Sequence, residues 1–509
     1  MENGSSYDQI PYPTRPYAES HPDRLATIGR LFGLQVQPID CCRVLELGCA
    51  RGGNLIPMAE QLPGSRFVGV DRSAAQIGEA LDLARRLGLD NLRLLHQDIL
   101  DCDAGLGQFD YIVCHGVFSW AARQVQEKIL EICASHLAPQ GVAYVSYNTY
   151  PGWYMRGMVR DMMRYHVRDL ADPAAQLQQA RWILDFLAQN TAGETPYGAF
   201  LRSEAQVVHE TEDGHLLHDQ LEEINDPLFF FQFVQRAEAQ GLQYLAESDI
   251  ATMWSRLLPP GAAATLEQVA AGLTAREQYM DFVRNRAFRQ TLLCHGAVTI
   301  YRELRPEVLG PLHVAAPLAP IDTPIDLGSS QGVRFRHLPS GQEVTATSPI
   351  VKAALACLGR AWPAAIPFAE LGLRARAWAG GEMGPDARPI PYESYQLGRS
   401  ILEMFLARLA EVHSAAPRLC TAVSPRPIAR RLARFQAESG PCVTNMRHQL
   451  ITLPPLLRHI LPYLDGRNDH RQLQAAVACW TAEHDPETRV PAALDEALAD
   501  LARAALLVG

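Results

Sequence analysis

The chain has 509 residues, more than one hydrophobic core usually supports, so its length predicts two to four domains. Its 48% hydrophobic and 20% charged residues are typical of a globular protein, and a formal net charge of −10 argues against nucleic acid as a partner. The eleven cysteines follow no paired or metal-like spacing. No secretory leader or membrane-length apolar segment is visible, so we expect a cytoplasmic protein without a membrane partner.

Residues 40 to 147 alternate short apolar runs with longer segments in which apolar residues recur at helical spacing. Runs with little polar alternation are typical of strands that are buried on both faces. The predicted strands are 43–47, 66–70, 92–96, 109–115 and 141–147. Alternation of this kind predicts an α/β fold, with a parallel sheet covered by helices on both sides.

The chain becomes strongly helical after residue 150 and then returns to strands. Two long helices are predicted within an insertion at about 155–215, and a third helix is predicted to begin at Asp226 and Pro227. Apolar runs at 241–247 and 288–296 predict two late strands that complete one edge of the sheet. The first domain is therefore expected to span 1–305.

The remainder of the chain is predicted to hold two small modules. A stretch rich in proline, glycine and serine marks a linker at 306–332. Repeated helix–turn–helix patterns follow it, which predicts a middle module over 333–415 and a C-terminal module over 416–509. Both are expected to be mainly helical and winged-helix-like.

The stretch "VLELGCARGGNLIPMA" (44–59) joins the first predicted strand to the first helix. Gly48 and Gly52 permit a tight turn and a close backbone approach to a ligand, and Glu46 lies at its mouth. The spacing is neither the dinucleotide-binding pattern nor that of a phosphate-binding loop with its lysine. A ligand with a cation instead of phosphates fits these residues better.

Two further carboxylates follow the next two predicted strands. Asp71 is placed to accept hydrogen bonds from a ribose, and Asp98, with Ile99 beside it, to meet an adenine edge. Either residue alone is as well explained as a helix cap or a solvated loop residue. Together with Glu46 they predict a site for S-adenosylmethionine, with S-adenosylhomocysteine as product and no metal.

Aromatic side chains cluster after the fourth and fifth predicted strands, where the acceptor of the methyl group is expected. The predicted pocket is lined by Phe118, Trp120, Tyr150 and Trp153. Ring faces attract a cation, so such a pocket suits an amine acceptor. His115 is a candidate general base, although a histidine hydrogen-bonded to cofactor or backbone is the plainer interpretation. Tyr147 and Asn148 are candidates for orienting the amine.

The motifs "ELGCARGG", "FVGVDRS" and "HQDIL" resemble those of class I methyltransferases and imply a Rossmann-like sheet. "HGVFSW", "SYNTYPGW", "REQYMDFVRNRAFRQTLLCH" and "LDGRNDHRQL" extend the resemblance to bacterial methyltransferases with a methyltransferase regulatory domain, including rickettsial protein-lysine methyltransferases. The resemblance implies a regulatory-type segment at 216–305, a lid over the cofactor that includes Tyr12, and a protein or peptide substrate.

Three functions remain open at this point. Methylation of lysine side chains in a protein is favoured, because the insertion and the C-terminal modules give more surface than a small substrate requires. The alternatives are methylation of a small molecule or peptide in a biosynthetic pathway, and a non-catalytic scaffold that binds S-adenosylmethionine. The inserted helices also predict a homodimer. His215, His218, Glu222 and Glu223 could mimic metal ligands, but no further ligand stands at diagnostic spacing.

Overall fold

The computed structural model describes residues 14–254, 258–327, 331–380, 391–420, 422–484 and 490–508. Tyr12, predicted to touch the cofactor, lies outside the described residues.

A seven-stranded sheet forms the centre of the first domain, in the strand order β3-β2-β1-β4-β5-β7-β6. The first five strands pair in parallel, whereas β7 runs antiparallel to both β5 and β6. The strands are β1 (Arg43–Leu47), β2 (Arg66–Asp71), β3 (Leu92–His96), β4 (Phe109–Cys114), β5 (Leu137–Asn148), β6 (Leu242–Glu247) and β7 (Phe288–His295). The predicted Rossmann-like α/β fold is confirmed, including the two late strands at one edge.

Helices cover both faces of this sheet. Along β1, Val44 packs into one hydrophobic core and its neighbour Leu45 into another, because successive side chains of a strand point to opposite faces. The helices of this part are α1 (Pro22–Leu31), α2 (Leu55–Gln61), α3 (Ala74–Leu87) and α4 (Arg123–His136). Burial on both faces explains why the strands read as nearly continuous apolar runs.

The insertion after β5 contains three long helices where the sequence predicts two. They are α5 (Gly152–Val167), α6 (Pro173–Asn190) and α7 (Pro196–Glu210), and they enclose a small core of their own. Pro173 and Pro196 each occupy the first turn, where a missing N–H costs no hydrogen bond. The homodimer predicted from these helices stays a prediction.

The helix that was predicted to have Asp226 as its cap and Pro227 as its first residue begins instead at Phe230. The Asp226 carboxylate does not cap it but accepts a hydrogen bond from Nε2 of Gln126, at 3.1 Å. The N–H of Phe229 donates a hydrogen bond to the side chain of Gln232, which caps the N-terminus of the helix three residues later than expected. This part of the chain contains α8 (Phe230–Ala239), α9 (Pro260–Val269) and α10 (Leu273–Arg284).

Residues 306–332, predicted as a linker, include two short strands that belong to folded sheets. Strand β8 (His313–Ala315) lies between β12 (Ile366–Pro367) and β13 (Glu411–His413) in a three-stranded sheet, and β9 (Leu318–Pro320) pairs with β10 (Val333–His337). Val314 and Leu318 are buried. The prolines of this stretch therefore mark turns between short strands, and the prediction of a plain linker is wrong for 313–320.

The rest of the chain alternates helices with short strands, as a winged-helix-like fold does. The strands are β10 (Val333–His337), β11 (Glu343–Ala346), β12 (Ile366–Pro367), β13 (Glu411–His413), β14 (Cys442–Thr444) and β15 (Leu450–Thr452). The helices are α11 (Pro349–Ala361), α12 (Phe368–Trp378), α13 (Pro391–Leu406), α14 (Arg431–Ser439), α15 (Pro455–Ile460), α16 (His470–His484) and α17 (Val490–Arg503). Strands β14 and β15 form an antiparallel hairpin.

Candidate active site

The turn between β1 and α2 is tightly packed and has three left-handed residues. Gly48, Ala50 and Gly52 have φ angles of +75°, +47° and +72°. A Cβ atom on Gly48 would lie 2.4 Å from Cγ2 of Val117, so a larger residue does not fit there without a shift. Ala50 stands in the same backbone conformation without being a glycine, which shows that a methyl group is accommodated at that position.

Asp71, at the end of β2, holds this turn in place. Its Oδ2 accepts a hydrogen bond from the N–H of Ala50 at 2.9 Å, and its Oδ1 accepts one from the N–H of Ser73 at 2.8 Å. The residue is only half-buried, and each carboxylate oxygen has a second lone pair. Asp71 can therefore support the turn and still accept hydrogen bonds from a ligand.

Glu46 is buried and directed into the same region. Its Oε1 accepts a hydrogen bond from Nδ2 of Asn54 at 2.7 Å, whereas its Oε2 has no hydrogen-bond partner among the described residues. Burial raises the pKa of Glu46 to about 8, and the nearby Asp71 carboxylate adds to this rise. A nearby positive charge favours the ionised form of such a buried carboxyl group, so Glu46, beside a turn that excludes side chains, fits the positively charged amino-acid end of S-adenosylmethionine.

Asp98 and Ile99 follow β3 at the same edge of the sheet. Oδ1 of Asp98 accepts a hydrogen bond from the N–H of Leu100 at 2.9 Å, and Asp98 and Ile99 are both half-buried. Strands β1, β2 and β3 are direct neighbours, so the three carboxylates predicted from sequence lie at adjacent strand ends. Their roles toward the cofactor stay predictions, but the arrangement fits that ligand.

Asn54 also lies at this site, although the sequence analysis did not single it out, and it contacts Tyr17, which the family resemblance places with Tyr12 in the lid. The N–H of Tyr17 donates to Oδ1 of Asn54 at 2.9 Å. Asn54 stands two residues after Gly52, where the predicted helix begins. The only available signal for it was a polar residue at the start of an otherwise apolar helix.

His115 lies beneath the aromatic ring of Tyr17. The two rings are stacked with centroids 3.6 Å apart, and Nδ1 of His115 shares a 2.8 Å hydrogen bond with the hydroxyl of Tyr144. Burial lowers the pKa of His115 to about 3, so the imidazole is neutral at physiological pH and a weak base. This environment favours the plainer of the two interpretations, a packed and hydrogen-bonded histidine.

Two residues predicted to contact the acceptor lie in the hydrophobic core instead. Tyr147 is 1% exposed and stacks on Phe233, with its hydroxyl near the Thr291 hydroxyl at 3.1 Å. Phe118 is fully buried against the same Phe233 ring. Along β5 the side chain of Tyr147 points to the face opposite that of Asn148, so both could not reach one site. The predictions for Tyr147 and Phe118 are therefore wrong.

Asn148 is buried and its amide is already engaged. Its Nδ2 donates to Oδ1 of Asn225 at 2.8 Å, and its N–H donates to the Ser119 hydroxyl at 2.9 Å. These bonds tie the end of β5 to the segments around Ser119 and Asn225. The role of Asn148 toward an acceptor stays a prediction.

The remaining predicted aromatics do come together, around the start of α5. Trp120 contacts Trp153 edge to face at 5.8 Å, and Tyr150 stacks on Tyr154 at 4.1 Å. Beside them is an open groove of about 800 Å³, which we call the aromatic groove. It is lined by Tyr150, Trp153, Tyr154, Asp161, Tyr165 and Ile183, among others.

Neither a metal centre nor a membrane span is found in the part of the chain that the structure describes. Among its described residues, no three histidine, cysteine, aspartate or glutamate side chains are grouped so as to hold a metal ion. None of its described helices is long and apolar enough to cross a membrane.

Comparison with known proteins gives three family matches along the chain. Residues 45–143 match a methyltransferase domain, 212–295 a predicted methyltransferase regulatory domain, and 425–506 the C-terminal winged helix domain of PKMT. An uncharacterized protein of Rickettsia prowazekii is 34% identical over 92% of this chain and 85% of its own length. A second one from the same organism is 41% identical over 48% of this chain and 98% of its own.

The fold as a whole matches a solved structure, that of PKMT2 from Rickettsia typhi. The TM-score is 0.86 at 31% identity, covering 98% of this chain and 100% of the other. The chain is an S-adenosylmethionine-dependent methyltransferase of the PKMT type. A second structure of PKMT2, in complex with AdoHcy, matches equally well at 32% identity. The predicted family and cofactor are thereby confirmed.

Proposed function

We propose that this methyltransferase transfers methyl groups to lysine side chains of a protein substrate, with the aromatic groove receiving the acceptor. The observation that carries the proposal is the groove itself: it is open, bordered by tyrosine and tryptophan rings, and adjacent to the end of β5. In open α/β sheets, ligands bind beyond the carboxyl ends of the strands. The membership in the PKMT type supports the same substrate class.

The cofactor would be held at the ends of β1, β2 and β3. Oε2 of Glu46 would accept a hydrogen bond from the amino group, Asp71 from the ribose hydroxyls, and Asp98 with Ile99 would border the adenine. When bound, S-adenosylmethionine supplies a methyl group that is activated by the adjacent sulfonium. The turn at Gly48 and Gly52 leaves room for close backbone contact with the ligand.

The protein's own contribution is mainly to position the acceptor and remove water from it. A lysine amine reacts only after it loses its proton, and its ordinary pKa is about 10.4. Partial burial between Trp153 and Tyr150 lowers that pKa by desolvation. The ring faces then hold the methylated ammonium product. His115, neutral and stacked under Tyr17, would shape the floor of the site instead of accepting the proton.

A protein substrate fits the dimensions of the groove. Its volume of about 800 Å³ exceeds a single lysine side chain, and it continues along α5 to Ile183 on α6. The exposed carboxylate of Asp161 lies on this wall, where it can attract the positive charges of a lysine-rich segment. The short segment 117–120 connects the aromatic groove to the cofactor turn. At one end of it Val117 packs against Gly48, and at the other Trp120 packs against Trp153.

The test is methyl transfer from isotope-labelled S-adenosylmethionine into a host lysate that is then divided into protein and small-molecule fractions. Label on protein that survives acid hydrolysis as methylated lysine supports the proposal. Label confined to small molecules would assign the enzyme to a biosynthetic reaction. Bound cofactor without any label in either fraction would favour a non-catalytic scaffold.

A further inference from the structure

The hairpin of β14 and β15 reaches from the C-terminal module to the cofactor turn. Its tip, residues 445–449, lies against α2, the helix that follows the glycine turn. Nε2 of Gln61 donates to the carbonyl oxygen of Met446 at 2.8 Å, and His448 at the same tip is 2% exposed. The hairpin is thus in direct contact with the element that carries Asn54.

His448 makes a hydrogen bond that continues to Glu46. Its Nε2 lies 2.7 Å from Oδ1 of Asn54, and Nδ2 of Asn54 donates to Oε1 of Glu46 at 2.7 Å. A chain of three residues therefore connects the C-terminal module to the carboxyl group of Glu46. Its first and last members, His448 and Glu46, are more than 390 positions apart in the sequence. Each of the three is buried.

The direction of each hydrogen bond follows from its neighbours. The backbone N–H of Tyr17 can only donate, so the atom of Asn54 that it meets is the carbonyl oxygen. His448 must therefore donate from Nε2–H to that same oxygen. The amide nitrogen of Asn54 is left to donate to Glu46 and to the Ser20 hydroxyl. Reversing the amide would set its NH2 group against the N–H of Tyr17, donor against donor, so the Tyr17 contact fixes this orientation.

His448 is held in position for this contact by the hairpin tip. Its backbone has a φ angle of +58°, a left-handed conformation that residues other than glycine seldom adopt. Its N–H donates to the carbonyl oxygen of Asn445, and the Asn445 side chain binds the N–H groups of Arg447 and Gln449. The tip therefore fixes a strained backbone that directs the imidazole toward Asn54.

We propose that His448 is a positioning residue for the cofactor site, which it completes from the C-terminal module through Asn54 and Glu46. The inference rests on the proposed assignment of Glu46 to the cofactor. The Asn54 side-chain oxygen accepts hydrogen bonds from His448 and from the N–H of Tyr17. Without His448 only the second of these remains, and the Asn54 amide can more easily rotate its nitrogen away from Glu46. Cofactor affinity thus depends on the docking of a module that lies far from the methyltransferase motifs.

The experiment is calorimetric titration of the full-length enzyme with S-adenosylhomocysteine. We expect His448→Ala and Asn54→Ala each to weaken binding about tenfold, which is the upper end of the effect of losing one buried hydrogen bond between neutral groups. The double variant should be no weaker than Asn54→Ala alone, since both substitutions interrupt one path. His448→Gln, which retains a side-chain N–H donor, should recover part of the loss.

Gln61→Ala is the matched control. It removes the other hydrogen bond between α2 and the hairpin tip but has no contact with Glu46. Affinity within twofold of wild type for Gln61→Ala, with a tenfold loss for His448→Ala, supports the proposal. Equal losses for both variants would overturn it, because docking in general would then be responsible. Unchanged affinity in both His448→Ala and Asn54→Ala would also overturn it.

Glu46→Ala separates this inference from the function on which it rests. If Glu46→Ala binds S-adenosylhomocysteine as tightly as wild type, the assignment of Glu46 is wrong. If Glu46→Ala weakens binding and His448→Ala does not, only the role of His448 is wrong. Thermal unfolding of each variant checks that the chain is folded, and Asn54→Ala tests the path without any change in the C-terminal module.

Discussion

The two sides of the candidate active site are built in opposite ways. The cofactor side is a close-packed turn in which Gly48 admits no side chain and Asp71 binds backbone N–H groups. The aromatic groove is an open surface along α5, where Tyr154 is 58% exposed and its ring stacks on that of Tyr150. A rigid side suits a ligand that never changes, and an open side suits acceptors that vary in shape. Substitutions should therefore have sharper effects on the cofactor side.

The largest effect is expected for Asp71→Ala. The change removes both the proposed ligand contact and the anchor of the Ala50 and Ser73 N–H groups, and each such bond to a carboxylate contributes about 1.5–3 kcal/mol. We expect S-adenosylhomocysteine to bind about 100-fold more weakly in calorimetry. Asp82→Ala, on the exposed face of α3, is the control and should bind normally. Near-normal affinity in Asp71→Ala would contradict the cofactor-site assignment.

The attachment of the C-terminal half to α1 should depend on pH. His413 lies 2.7 Å from Asp23 and near Glu411, and these carboxylates raise its pKa from 6.5 to about 9 against the opposing effect of burial. A raised pKa in the folded state stabilises the protein fully below pH 6.5, and that stabilisation is lost as the pH rises through about 9. We expect a loss on the order of 3 kcal/mol.

The measurement is chemical denaturation at pH 6 and at pH 9.5, for wild type and His413→Gln. The difference between the two proteins isolates the contribution of His413 from the other buried histidines. Wild type should lose more free energy of unfolding than the variant over this interval. Parallel behaviour of the two proteins would show that His413 carries no extra proton in the folded state.

A smaller and more selective effect is expected for Tyr154→Ala in the aromatic groove. Loss of a stacked ring that faces a cation should cost about 1.4 kcal/mol, a tenfold rise in KM for a protein acceptor. Cofactor affinity should not change, because the rings that Tyr154 contacts are those of Tyr150 and Phe229, which are not among the residues assigned to the cofactor. Tyr395→Ala, another exposed tyrosine on α13, serves as the control. An unchanged KM would place the acceptor elsewhere.

The smallest effect is expected for His115→Gln. Burial lowers the pKa of His115 to about 3, so the residue cannot act as an efficient base and its loss should reduce turnover by no more than about threefold. Steady-state methyl transfer with saturating cofactor measures this directly. A loss of 100-fold or more with normal cofactor affinity would instead show that His115 accepts a proton or orients the acceptor.

The arrangement of residues at the proposed cofactor site was predictable because these residues follow local rules. Glycines in the β1–α2 turn and carboxylates at the ends of β2 and β3 are fixed by strand geometry, which short stretches of sequence reveal. The acceptor residues were only partly predictable. Several aromatic residues lie close to the end of β5 in the sequence, but this closeness does not show which of their side chains face the site. Because side chains alternate along the strand, Tyr147 lies in the core.

The sequence by itself determined the alternating α/β fold, the glycine turn and the three carboxylates at adjacent strand ends. Only the tertiary structure decided that Phe118 is core, that the segment 313–320 joins folded sheets, and that His448 reaches Asn54. The physical reason is the range of the interactions. Turns and strand patterns depend on neighbours in sequence, whereas the contact of His448 joins residues that only the packing of separate modules brings together.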